Sequence, residues 1–414
     1  MMNRFLPCLL VSTFPLISFA QTNNLTGSPY SLFGLGVTTS SNIGKNSALG
    51  NGGYALGADG FINNLNPASY GSFPEKTFIL DFGFLAEIST IANRNTEERR
   101  LAANFSNLAI ASSIDSKSSF GISIVPYTDV GYSLIGIESN VEGSTDQFTS
   151  NVLGSGALNE LRFSYGRSFM ERLRIGANIS LLFGSIEERE ALNAGASSLI
   201  ITEQNTYNGF QFGFGLQYDF NDKFGFGLAM NLPTSLSGTQ DRDVQKTLDF
   251  SPATVDEETD IDLDNFDLPI EINTGIVFRP KKNIGINLDY SVKLWNATDQ
   301  RDNVGVFVDQ YTYAIGGEYT VDANSFKFWE RIAFRAGFNY DTGYLRINDN
   351  SVNSYAFTAG LGIPLGYRSR SKVNISFASN NRGTTEGILV EERFSTININ
   401  FSLNDIWFLK RKID

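Results

Sequence analysis

The sequence predicts an all-β protein, an antiparallel transmembrane β-barrel of about fourteen strands carrying an N-terminal plug. Three observations predict it. Apolar and polar residues alternate from Thr77 to Leu403, polar connections between the alternating stretches are by turns short and long, and the chain opens with a secretory leader. The stretch Phe210 to Phe220 shows the alternation best. Phe210, Phe212, Phe214, Leu216, Tyr218 and Phe220 fall on one strand face, and Gln211, Gly213, Gly215, Gln217 and Asp219 on the other. A soluble sandwich also alternates, but membrane-length strands with polar, glycine-rich inner faces suit a barrel wall.

The leader comes first. Met1 to Arg4 is basic, Phe5 to Phe19 is mostly apolar, and Ser18 and Ala20 are the small residues of a cleavage site. Pro7 and Pro15 interrupt a run too short to span a bilayer, so residues 1–20 are expected to be a signal peptide removed after Ala20. The only cysteine, Cys8, lies within it, which leaves a mature chain without disulfides. No later apolar run reaches about 18 residues, which excludes a helical inner-membrane protein.

Residues 21–76 lack long alternation and are dense in Gly, Asn and Ser. Apolar Tyr30, Leu32, Phe33 and Leu35 would be costly to leave in water, so this stretch is expected to fill the lumen rather than hang as a periplasmic arm. The barrel is expected over 77–414, with strands near 77–90, 103–114, 119–136, 157–168, 172–187, 207–220 and 223–236. The second half supplies 269–279, 283–296, 309–320, 330–341, 353–363, 372–381 and 392–403. An even number is what a single-chain bacterial barrel requires.

Short turns alternate with long polar loops at 137–156, 188–206, 237–268 and 297–308, which puts both chain ends on the periplasmic side. The face pattern recurs elsewhere. Ile284, Ile286, Leu288 and Tyr290 oppose Asn283, Gly285, Asn287 and Asp289, and Ile332, Phe334, Phe338 and Tyr340 oppose Arg331, Arg335, Asn339 and Asp341. Trp295 near an outer strand end, and Trp329 and Trp407 near inner ends, are expected to anchor at the bilayer interfaces.

Composition narrows function. A net charge of −12 disfavours nucleic acid as a partner, because phosphates demand a basic surface. With no histidine in the chain, Ser-His-Asp and histidine–metal chemistry are excluded, and no Gly-x-Ser-x-Gly motif stands out. Neither a catalytic residue nor a cofactor is expected. The acidic stretch Asp256–Asp267 places Asp260, Asp262, Asp264 and Glu271 at EF-hand spacing. Asn265 stands where that loop needs glycine and the flanks read as strand, so a solvated outer loop is expected and no metal site. Charges on the lumen parity, namely Asp81, Glu87, Arg162, Arg174, Glu271, Asp289, Lys293 and Arg335, are expected mainly to pair across a wet interior and fix the plug.

Pro126 is the most suggestive single residue. It lies mid-strand, where its missing N–H breaks a ladder bond and calls for a bulge or an edge. One reading is a bulge without consequence, the other a kink that opens the wall sideways to lipid. Ahead of the first strand stand Ala48-Leu-Gly50-Asn-Gly52-Gly53 and Asn63-Asn64-Leu-Asn66-Pro67-Ala68. With these motifs the chain resembles the FadL-like long-chain fatty-acid and hydrocarbon transporters of the outer membrane. The resemblance implies a fourteen-strand barrel, a hatch carrying those residues, and a kinked third strand with a lateral opening, which Pro126 matches. It covers the mature chain in architecture, while only residues 48–68 are specific as motifs. The ending Phe401–Asp414 departs from the usual terminal aromatic of barrel proteins.

The expected function is outer-membrane passage of small hydrophobic solutes, long-chain fatty acids or similar, with membrane lipids and a hydrophobic ligand as partners. Relatives of the same fold also serve in secretion machinery. The alternative is therefore a non-transporting scaffold working with other outer-membrane or secretion components.

Overall fold

Alternation on this scale builds a closed wall in the computed structural model, which describes residues 26–406 apart from 40–41, 59, 95, 141–146, 195–196, 249–250, 299, 301–304, 368 and 388. Fourteen antiparallel strands run in chain order. They are β1 Thr77–Ala92, β2 Glu97–Ser113, β3 Ser118–Asn140, β4 Gln147–Phe169, β5 Leu173–Ala194 and β6 Ser197–Asp219. Next, β7 has two pieces, Phe224–Asn231 and Thr234–Leu248, and β8 likewise, Ser251–Leu268 and Glu271–Lys281. Pro233 and Pro269 fall at the two breaks, where a residue without an N–H cannot hold the ladder. Then come β9 Ile284–Lys293, β10 Gln310–Thr320, β11 Ala333–Asp341, β12 Ser354–Pro364, β13 Lys372–Gly383 and β14 Glu391–Ile406. Pairing of β1 with β14, from Thr77↔Ile406 to Ala92↔Glu391, closes the cylinder.

Faces follow the parity. Phe84, Leu108, Phe163, Phe212, Leu288, Phe334 and Phe357 are exposed on the outer surface, whereas Gln211, Gln217, Asn287, Asp289 and Arg335 are buried inside. An unbroken outer band of this kind around a closed sheet is an outer-membrane architecture.

The structure corrects several expectations. The loops expected at 137–156, 188–206 and 237–268 are largely strand: β3 runs to Asn140, β5 to Ala194, and the upper pieces of β7 and β8 form a hairpin from Thr234 to Leu268. Beyond the bilayer neither face needs to be greasy, so these extensions lose the period that marks a strand while keeping the hydrogen-bond ladder. Asp260, Asp262 and Asp264 accordingly lie along an exposed strand. Trp295 is not an interface anchor. It is buried in the lumen within a short 3-10 helix, Trp295–Ala297. Ile332 is buried one residue ahead of β11 rather than lipid-facing, while Trp329 is exposed in the preceding turn. The leader, Cys8 and Trp407 lie outside the described residues.

Candidate functional site

The N-terminal stretch packs against inward-facing residues through its asparagines and glycines. Asn63 Oδ1 accepts from Asn46 Nδ2 (2.9 Å) and the Leu65 N–H (3.1 Å), while Asn63 Nδ2 donates to the carbonyls of Gly53 and Leu56, both at 2.9 Å. One side chain thus ties three turns that have no helix or sheet to satisfy them. Asn64 Nδ2 donates to Ser123 Oγ of β3 (2.8 Å), and the Asn64 carbonyl accepts from Arg162 Nη1 of β4 (2.5 Å).

Asn66 caps a 3-10 helix, Pro67–Ser72, by accepting from the Ala68 N–H (3.0 Å). Pro67 takes the first helical position, where a missing N–H costs nothing. The Asn66 amide nitrogen faces the carbonyls of Tyr54 (2.9 Å), Leu216 (3.2 Å) and Leu228 (3.2 Å), the last two on β6 and β7.

Asp289 of β9 receives the N–H groups of Gly53 (2.9 Å) and Tyr54 (3.0 Å), as a carboxylate in a nest of amides does. Gly50 has φ +68°, and a Cβ there would come within 2.6 Å of the Phe338 carbonyl of β11. Gly176 of β5 presses on the same stretch from the wall, since a Cβ on it would lie 2.3 Å from the Pro67 carbonyl carbon. The motif residues are thus spread around the inner wall, Asn64 on β3 and β4, Asn66 to Ala68 on β4 to β7, Gly52 and Gly53 on β9 and Gly50 on β10 to β12, with Asn63 bonded inside the stretch. Burial raises the phenols of Tyr54 and Tyr70 far above the ordinary tyrosine range, so both stay neutral.

The lumen charges are mostly paired. Arg162 meets Glu160 at 2.7 Å, Arg174 meets Asp219 at 2.8 Å, Arg335 meets Glu318 at 2.6 Å and Lys293 meets Glu271 at 4.0 Å. Asp81 is held instead by neutral donors, accepting from Asn107 (2.6 Å), Asn400 (2.5 Å) and Ser402 (2.5 Å).

Pro126 marks a discontinuity in the wall. β3 pairs with β4 nearly throughout, but the register slips between Pro126 and Thr128, which leaves Tyr127 as an extra residue. Below the bulge, Val125 belongs to the buried cluster with Ile62 and Tyr70. Above it, Val130 and Tyr132 join Leu158 and Leu182, so the inward parity of β3 inverts. On its other side β3 pairs with β2 over six positions only, from Leu108↔Ile124 to Ser113↔Ser119. Above that level β2 stays with β1, and β3 leaves it.

A two-residue strand, Val37–Thr38, takes the vacated edge and pairs with Asp129 and Thr128. The Thr39 N–H donates to the Tyr127 carbonyl (2.9 Å), Thr39 Oγ1 to the Pro126 carbonyl (2.6 Å), and the Thr26 N–H to Asp129 Oδ2 (2.7 Å). From the β2 side, Arg100 Nη1 reaches the Thr26 carbonyl at 3.4 Å.

Two spaces lie on either side of the wall beside this seam, at β1 and β2. A lumen cavity of about 420 Å³ is bordered by residues of the N-terminal stretch and by Leu85, Phe105, Pro126 and Tyr127. On the membrane face an apolar hollow of about 390 Å³ is lined by Phe84, Ala86, Ile397 and Ile399, and again by Leu85 and Phe105. Those two side chains border both. They sit beside a β1–β2 bulge where Ser106 is the extra residue between Gly83 and Phe84 pairings.

The apolar cluster that Val130 and Tyr132 join above the bulge also holds Leu35, Leu158, Leu236, Phe266, Trp295 and Phe307. Trp295 and Phe307 stack at 5.1 Å, and Phe307 and Tyr344 at 5.8 Å. Sequence parity gave no sign of it, because Trp295 and Phe307 lie outside the long strands. Among the described residues no group of three or more acidic or cysteine side chains is arranged to hold a metal.

Known structures share this architecture. The CymD monoaromatic hydrocarbon channel superposes with a TM-score of 0.63 at 16% identity, covering 89% of this chain and 99% of its own. The Ralstonia pickettii toluene transporter TbuX gives 0.62 at 16%, covering 88% and 99%. A Pseudomonas aeruginosa FadL homologue gives 0.54 at 13%, covering 89% and 97%. At such identities the likeness establishes the fold. No curated protein matches the chain in sequence. A family model described as BamG matches residues 1–414.

Proposed function

The chain belongs to the BamG family; from its seam and its fold we propose that it passes small hydrophobic solutes across the outer membrane through a side opening between β2 and β3. The seam carries this reading. β2 and β3 part above Leu108↔Ile124, the kink at Pro126 directs β3 away, and Leu85 of β1 and Phe105 of β2 border both the lumen cavity and a lipid-facing hollow. Solved channels of the same fold support it, one a monoaromatic hydrocarbon channel and another a toluene transporter.

In this reading residues 21–76 are a hatch, freed by cleavage after Ala20 and held to the wall by the Asn63–Ala68 and Gly50–Gly53 motifs. Residues 37–39 are its moving part. Tyr30, Phe33 and Leu35 anchor its first part in buried clusters, and Val37–Thr39 close the seam with a few hydrogen bonds, so the displacement that opens the seam is local to 37–39. A solute in the lumen then has an apolar exit at membrane depth and never needs to cross the periplasmic floor.

A lock on that segment tests the proposal. Thr38 and Thr128 face each other in antiparallel register, a geometry that a disulfide can bridge. In the Thr38→Cys/Thr128→Cys variant, uptake of a fluorescent hydrophobic tracer should fall at least fivefold on oxidation and recover on reduction. Equal uptake in both states would overturn the lateral route.

A further inference from the structure

The lumen cavity is bordered on β13 and β14 by a stretch of wall without charge. Three successive inward rungs, Ser376↔Asn398, Ala378↔Thr396 and Asn380↔Phe394, all line it. Elsewhere the inner wall carries ion pairs such as Arg162–Glu160 and Lys293–Glu271. Here hydroxyls and amides stand in their place, with small Ala378 among them and the ring of Phe394 on the last rung.

The polar groups of this stretch are open to the cavity rather than spent on the fold. The side chains of Ser376, Thr396 and Asn398 make no hydrogen bond among the described residues, and none of their polar atoms is sealed away from the cavity. Asn380 gives one N–H to the Phe394 carbonyl (3.2 Å) and keeps its other N–H and its oxygen. Each hydroxyl and each amide can therefore both donate and accept. A hydrocarbon laid here would strip water from these groups and return no hydrogen bond. A carboxylate could accept from them but not donate, which leaves the oxygens of Asn380 and Asn398 unmet. A sugar or polyol does both, and the C–H face of a sugar ring can lie against Phe394.

The polar stretch ends where the apolar one begins. Leu85 of β1 pairs with Asn398 across the strands that close the barrel, and with Phe105 it borders the lipid-facing hollow. We infer that the solute is an amphiphile with a neutral, hydroxyl-rich head seated on Ser376, Asn380, Thr396 and Asn398, and a hydrocarbon tail that runs over Leu85. The inference rests on the transport reading above for the direction of the tail, and it narrows the solute to a glycoside-like class. Selection comes from the head, because a site built to hydrogen-bond hydroxyls rejects a molecule that lacks them far more strongly than an apolar site rejects a missing methylene.

Equilibrium dialysis of the intact protein in nanodiscs, corrected for empty nanodiscs, tests this with octyl β-glucoside below its micellar concentration, octan-1-ol, octanoate and glucose as probes. The glucoside should bind at least tenfold more tightly than each of the other three. Asn380→Leu/Asn398→Leu should bring it within threefold of octan-1-ol. Independently, the shape-preserving Thr396→Val should weaken the glucoside at least threefold and leave octan-1-ol unchanged. Octan-1-ol, octanoate or glucose binding as tightly as the glucoside, no binding of the glucoside, or unchanged ratios in variants that still fold would each overturn the inference. The disulfide lock reads uptake of a tracer without a sugar head, so failure of the side route would show there and not in these ratios.

Discussion

Replacing Asn66 with Ala should loosen the N-terminal stretch without opening the barrel. The amide makes one accepted bond, from the Ala68 N–H, and its two N–H hydrogens serve three carbonyls, so at most three hydrogen bonds are lost. A net worth of about 1 kcal/mol each gives about 3 kcal/mol. The carbonyls are not all stranded, since Tyr54 O also accepts from Gln217 Nε2 at 2.9 Å, which argues against the upper end of the range. About 3 kcal/mol is roughly a hundredfold in the local opening equilibrium.

Hydrogen exchange reads it directly at the amides of Ser69, which donates to the Asn66 carbonyl, and Phe73, which donates to Tyr70. Both should exchange roughly a hundredfold faster, while amides of β12 such as Phe357 should not change. Asn66→Asp keeps the cap on Ala68 but sets a carboxylate against three carbonyls, so it should be at least as severe. Wild-type protection in both variants would refute the assignment of Asn66 as the tether.

Three further outcomes follow from the same geometry. Gly176→Val should push Pro67 off the wall, because the added Cβ alone would sit 2.3 Å from a backbone carbon; trypsin should then cleave the N-terminal stretch in the folded barrel, and full resistance would contradict the close approach. Leu158→Ala, in the buried lumen cluster, should lower stability by about 2–5 kcal/mol in urea titrations of the protein refolded into liposomes, and a loss under about 1 kcal/mol would show that the cluster is not packed as described. Deleting residues 28–70 should raise nonspecific ion conductance severalfold in planar bilayers; unchanged conductance would end the hatch claim.

The wall was legible because lipid imposes a period on it. Phe210 to Phe220 alternates visibly since each even residue meets hydrocarbon and each odd one meets the lumen, and Pro126 stood out because a closed ladder has no place for it. Where lipid stops, the signal stops. Glu187-Glu188-Arg189-Glu190 is strand in β5, yet nothing in that polar run distinguishes it from a loop. The motif glycines and asparagines could be picked out as a group, but Asn66 reaching Leu216 and Leu228, some 150 residues away, depends on closure of the cylinder. The partnering of Val37–Thr38 with β3 and the uncharged rungs of β13 and β14 are likewise properties of the assembled wall.

Labelling of intact cells with a photoactivatable alkyl diazirine, mapped by peptide mass spectrometry, examines the side route most directly. The account predicts labels on the lipid-facing hollow at Phe84 and Ile399, on Leu85 and Phe105, and on Tyr127 inside the cavity, with the Tyr127 label lost in the oxidised Thr38→Cys/Thr128→Cys variant. Labels confined to the outer face, with Tyr127 and Phe105 untouched in the unlocked protein, would contradict it.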